Sequence, residues 1–138
     1  MRKFAFWLSL VAFLMSICAV VMAAEIPNDL AVRAVLGEAR GDGYDGMSAV
    51  AHAIRNRGHL RGVYGKDAAM PDLTPGMWQL ASKAWFESED GADPTRGADH
   101  WFSEADLVKL ERTRPKWFLR LEPVVKIGGN TFYKRRTD

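Results

Sequence analysis

An apolar stretch from Phe4 to Val21, preceded by Arg2 and Lys3, divides this chain before any fold is considered. Met22-Ala23-Ala24 follows with the small residues a signal peptidase accepts, so residues 1–24 have the layout of a secretory signal peptide and are set apart from the fold. The stretch is also close to the ~18 residues that a membrane span needs, which leaves an uncleaved anchor as the alternative. Cys18, the one cysteine of the 138 residues, lies inside it, and Ile17 before it fits a lipid-attachment signal poorly. The remaining 114 residues, 25–138, therefore build their core without a disulfide and have no thiol for catalysis or metal binding. That length suits one small domain, expected to be exported to the periplasm or cell envelope as a monomer. The membrane would be met only transiently, through the leader.

Charge is informative only once the leader is removed. Residues 25–138 carry 17 basic and 17 acidic side chains, so the net charge of +2 on the whole chain comes from Arg2 and Lys3. The distribution is uneven: residues 25–108 hold 8 basic and 14 acidic groups, whereas 109–136 hold 9 basic and 2 acidic. A basic C-terminal face suits an anionic polymer, or is simply solvated. Export favours an envelope polysaccharide over nucleic acid as that polymer.

The pattern downstream is mostly helical. Asn28 or Asp29 can cap a helix whose stripe is Leu30, Ala31, Ala34, Val35 and Leu36, and Gly41, Gly43 and Gly46 end it. Asp45 is a cap for a second helix with Met47, Val50, Ala51 and Ile54 on one face, giving a helical hairpin. Residues 58–73 read as loop, and Thr74-Pro75 opens a third helix carrying Trp78, Leu80, Ala81, Ala84, Trp85 and Phe86. The segment "EDGADPTRGADHW" is turn-rich, and Ser103 with Asp106 resembles a capping box for a short helix to about Leu110. Val124, Val125 and Ile127, then "GGN", then Thr131, Phe132 and Tyr133 read as a β-hairpin.

The chemistry narrows to carboxylates. His52, His59 and His100 lack the HExxH or any other close ligand spacing, so neither a metal nor another cofactor is expected, and no G-x-S-x-G marks a serine nucleophile. Glu38 stands out because it falls in the last turn of the first helix. The negative end of the helix dipole and partial burial both disfavour its ionised form, which favours proton donation near neutral pH. Arg40 opposes this if it folds back onto Glu38. The competing reading, a solvated glutamate at a helix end, is the commoner arrangement.

Three segments, in order, bear on that choice. "LGEARGDGYDGMSAVAHAIRNR", "DPTRGADHWF" and "PKWFLRLEPVVKIGGNTFYK" resemble the signature blocks of the cell wall hydrolase family of the spore cortex-lytic enzyme (SleB) type. The resemblance implies a lysozyme-like α+β fold, mainly helical with a small β-hairpin near the C-terminus, over residues 25–138. It implies cleavage of peptidoglycan glycan strands between N-acetylmuramic acid and N-acetylglucosamine, with Glu38 as the catalytic acid and then base. A second carboxylate is not required, because the substrate's acetamido group or C6 hydroxyl can take up the anomeric centre. Transglycosylation and hydrolysis both stay open.

The sequence departs from the family pattern at three places. Asp42 stands where a second glutamate is usual, Asn130 where a histidine is usual, and a Q-F segment is missing from residues 60–77. Candidate substrate-binding residues are Asp42, His100, Trp101, Phe132 and Tyr133; each aromatic among them has packing as its alternative, His100 and Trp101 in a cluster with Trp117. Asn56 and Arg57 are expected to tie the second helix to a loop, and Asp93, Thr95 and Gly97 to form a turn. The rival to an enzyme is a non-catalytic peptidoglycan-binding module with the same fold.

Overall fold

A computed structural model describes residues 25–137. The expected signal peptide and Cys18 lie outside the described residues. Three helices form the core: α1 (Asn28–Ala39), α2 (Gly43–Arg57) and α3 (Pro75–Glu87). Their buried positions are largely small: Ala31, Ala34 and Ala39 on α1, Ala49, Ala51 and Ala53 on α2, Ala81 and Ala84 on α3. Short side chains let the helix axes approach closely, and Val35, Leu36, Met47, Val50 and Ile54 fill the space between. Thr74 caps α3 as expected, accepting from the Met77 N–H at 3.2 Å with Pro75 in the first turn. Trp85 ties the three together: its indole donates to Asn28 Oδ1 at 2.7 Å, and the Arg55 guanidinium lies 3.8 Å from its ring centre.

Two helix starts differ from expectation. Pro27 rather than Asn28 or Asp29 holds the cap position of α1, and the Asn28 side chain serves Trp85 instead. Helix α2 begins at Gly43, with Asp42 rather than Asp45 in the cap position. Between α2 and α3, residues Tyr64–Asp67 form a 3-10 turn laid against α1. Gly37, a weak helix former, is what allows this: any side chain there would run into the Gly65 backbone. Arg33 fastens the same turn, donating to the Lys66 and Ala68 carbonyls at 2.7 and 3.0 Å.

The second half is a three-stranded antiparallel sheet in the order β1 (His100–Ser103), β3 (Asn130–Arg135), β2 (Leu121–Ile127). The hairpin β2–β3 matches expectation, while β1 is a strand where only a turn-rich segment was expected. Helix α4 (Glu104–Thr113) follows β1 through the Ser103–Asp106 capping box. A bulge between Pro123 and Val125 accommodates the proline on an edge strand. Paired residues share a face, so Trp101 opposite Phe132 points to the helices, and His100 opposite Tyr133 points away. That outer face carries a cluster of Phe102, Trp117, Phe118 and Tyr133, with ring centres 5.5–6.1 Å apart.

Candidate active site

The end of α1, the 3-10 turn, the end of α2 and strand β1 converge on one cleft of ≈ 530 Å³, with α4 as its far wall. Glu38 is half-buried in it. One carboxylate oxygen accepts the Gly65 N–H at 2.8 Å and the other accepts the Trp101 indole N–H at 3.1 Å. These contacts come from residues 27 and 63 positions away, so the tertiary fold, not the helix, sets the Glu38 rotamer. Two donors leave lone pairs on both oxygens free for a ligand. Arg40 does not fold back onto Glu38; it pairs with Asp72 at 3.3 Å.

Trp101 is held in turn by its surroundings. Its ring is buried among the core residues, and the Arg57 guanidinium lies 5.8 Å from the ring centre. Burial lowers the Arg57 pKa, while the charges of Asp99 and Glu38 push it back up. An arginine so placed stays cationic at neutral pH and sets a fixed positive charge beside the carboxylate. The rest of the lining is amphipathic: Tyr64, His100, Phe102 and Trp117 supply ring surfaces, and Gly62, Lys109 and Leu110 complete it. The other acid in the cleft, Asp106, is occupied by the Ser103 hydroxyl at 2.8 Å. Tyr64 is 83% exposed, leaving a ring free to stack on a ligand.

Of the six residues singled out from sequence, Glu38, His100 and Trp101 meet in this cleft. Phe132 does not: it is 0% exposed and turned into the helical core by strand alternation. Tyr133, on the opposite face, is 9% exposed and packed between Phe102 and Phe118; burial, then the charge of Glu111, raises its pKa. Asp42 also lies away from the cleft lining, packed against Gly128 and Gly129 at the β2–β3 turn. Gly128 has φ 59° there, and Asp42 would crowd any side chain added at either glycine. Asn130 is buried at the start of β3, so these two departures lie outside the cleft lining, whereas the third, residues 60–77, supplies Gly62 and Tyr64 to it. Arg57, Gly65 and Tyr64 are the residues the sequence reading missed. Arg57 was assigned to a loop contact that Asn56 makes alone, donating to Asp93 and the Ala98 carbonyl at 2.8 and 2.9 Å.

A helical layer against a small antiparallel sheet, with one half-buried glutamate in the cleft between them, defines a lysozyme-like α+β domain. No protein-family model and no curated protein matches the sequence. Solved structures do match. The catalytic domain of the Bacillus cereus SleB protein superposes with a TM-score of 0.52 at 28% identity, over 80% of this chain and 97% of that one. The catalytic domain of the germination-specific lytic transglycosylase SleB from Bacillus anthracis gives 0.51 at 29%, over 83% and 100%. The fold of this chain is that of the SleB-type catalytic domain.

Proposed function

We propose that this protein cleaves the glycan strands of peptidoglycan as a lytic transglycosylase, with Glu38 as its acid and base. The observation that carries the reading is the Glu38 carboxylate fixed by Gly65 and Trp101 in an aromatic-lined cleft. Similarity to a lytic transglycosylase catalytic domain supports it. In this reading the protonated carboxyl donates to the glycosidic oxygen as the bond to the muramic acid anomeric carbon breaks. The same carboxylate then takes the proton from the C6 hydroxyl of that sugar, whose oxygen closes onto the anomeric carbon. No water is consumed, the proton is returned to Glu38, and a 1,6-anhydro end results. If water takes the place of the C6 hydroxyl, the same residue performs hydrolysis. Residues 25–138 form the catalytic domain, and export by the leader over 1–24 would bring it to its substrate.

Glu38→Gln tests the reading on purified sacculi. The amide keeps the shape, and its oxygen can accept from one of the two N–H donors, but it can neither give nor take the proton, so turnover is expected to fall by about two to four orders of magnitude with binding retained. Asp42→Asn is expected to lose less than about threefold, because Asp42 supports the hairpin turn rather than the cleft. Mass spectrometry of the products separates anhydro ends from reducing ends. Wild-type turnover in Glu38→Gln would return the chain to the class of non-catalytic wall binders.

A further inference from the structure

A second hollow, of ≈ 370 Å³, opens beside the cleft and shares His100 and Trp117 with it. Its distinctive residues are Arg120, Arg135 and Arg136, over a floor and flank of Leu121 and Leu119. The strand register creates this grouping. Leu121 pairs with Arg135, and the Arg136 N–H donates to the Arg120 carbonyl at 3.0 Å, so three guanidinium-bearing residues meet at one end of the hairpin. The adjacent acid, Glu122, pairs with Lys134 at 3.6 Å, and alternation turns both to the opposite face. Among the described residues, no acid lines the hollow and none of the three arginines is in an ion pair.

Exposed arginines alone are ordinary. Here they combine with aliphatic surface and with continuity to the cleft, which limits the occupant. A ligand spanning both cavities is a branch of the strand in the cleft, anionic at its end and apolar along its stem. The short peptide carried on the muramic acid lactyl group has that chemistry: alanine methyls and free carboxylates. We infer that the hollow is a subsite for this acidic peptide branch, with the carboxylates on Arg120, Arg135 and Arg136 and the methyl groups on Leu119, Leu121 and Trp117. Planar guanidinium groups suit paired carboxylate contacts. The inference rests on the glycan-cleaving reading above and adds to it the form of strand the enzyme prefers.

The test is calorimetric binding to the full-length Glu38→Gln protein, which holds substrate without consuming it. Two ligands are compared: glycan oligomers stripped of peptide, and the same oligomers with tripeptide branches. Branched oligomers are expected to bind about tenfold more tightly, the sum of three exposed charge pairs of modest strength. The preference should shrink with added salt. Adding Arg120→Gln, Arg135→Gln and Arg136→Gln together should abolish it while the affinity for stripped oligomers stays as it was. All three side chains are exposed, so the fold should be retained, as a thermal melt would verify. Equal affinity for both ligands overturns the subsite and leaves the glycan reading standing, as does a preference that survives the triple variant. Displacement by a phosphate-bearing wall polymer, but not by free tripeptide, also overturns it. Failure to bind either oligomer overturns the glycan reading and the subsite with it.

Discussion

Glu38 and its two N–H donors behave as a unit whose members can be removed one at a time. Trp101→Phe keeps an aromatic ring in the core and deletes the indole N–H together with part of the buried ring system. One lost hydrogen bond of about 1.4 kcal/mol corresponds to roughly a tenfold fall in kcat with KM nearly unchanged, while the lost ring volume lowers the melting temperature. Steady-state kinetics on soluble glycan oligomers reads this directly, and an unaltered kcat would remove Trp101 from the positioning of Glu38. Gly65→Ala acts on the other oxygen by crowding. The new methyl would lie 2.8 Å from Glu38 Cγ and Oε1 and 2.9 Å from the Ala34 carbonyl. Arg33 and the Gly37 contact pin the turn in place, so it has little room to yield. Loss of activity is expected together with destabilisation of about 1–3 kcal/mol in a urea titration. Wild-type stability in Gly65→Ala would mean that the turn gives way more easily than its contacts indicate.

The elements are joined by a loop whose chemistry responds to acid. Residues 93–97 are bound to α2, with Asp93 accepting from Asn56, Thr95 and Gly97. Burial alone would raise the Asp93 pKa, but the donors from Thr95, Asn56 and Gly97 outweigh it and hold the carboxyl below its ordinary 3.8. Its contribution is therefore full above that value and is lost as pH falls through the lower folded one. His52, 3.8 Å from Asp93, shifts in the same direction for another reason: burial lowers its pKa from 6.5, opposed by Asp93 and aided by Arg55. At neutral pH the pair is thus a neutral imidazole beside a carboxylate. Its stabilising effect is present above 6.5 and disappears as pH falls through the folded value. Urea midpoints should decline in two stages, the first removed by His52→Gln and the second by Asp93→Asn. A first stage that persists in His52→Gln would assign it elsewhere. The sequence made these helices legible because their apolar periodicity is strong and Thr74-Pro75 and the Ser103–Asp106 box mark their starts. Strand β1 was hidden, since four residues after a turn-rich loop carry too little alternation and gain their pairing only from β3. Glu38 was legible from its place at a helix end and from the resemblance, and His100 and Trp101 from their place after a turn. Gly65 was not, because a backbone N–H leaves no mark in a sequence. Phe132 and Tyr133 were assigned together although neighbouring strand positions face opposite ways.

At the scale of the whole molecule, the two sides of the cleft are anchored unequally. Glu38, Arg57 and Trp101 stand on α1, α2 and the inner face of the sheet, whose cores are closed to solvent. The opposite wall is α4, none of whose residues is buried and whose Val108 is 64% exposed. Local opening free energies follow burial, so α4 amides should exchange with deuterium well before those of α1 and α2. Similar protection in all three helices, read by mass spectrometry of peptic fragments, would mean that α4 is better anchored than its exposure indicates. A cleft with one firm bank and one loose bank does not have to be entered from its end. If α4 swings out faster than a strand diffuses away, a polymer crosslinked at both termini can be laid in sideways and gripped at its middle. An enzyme loaded in that way shortens its substrate by halving rather than by trimming, and the earliest products would be long.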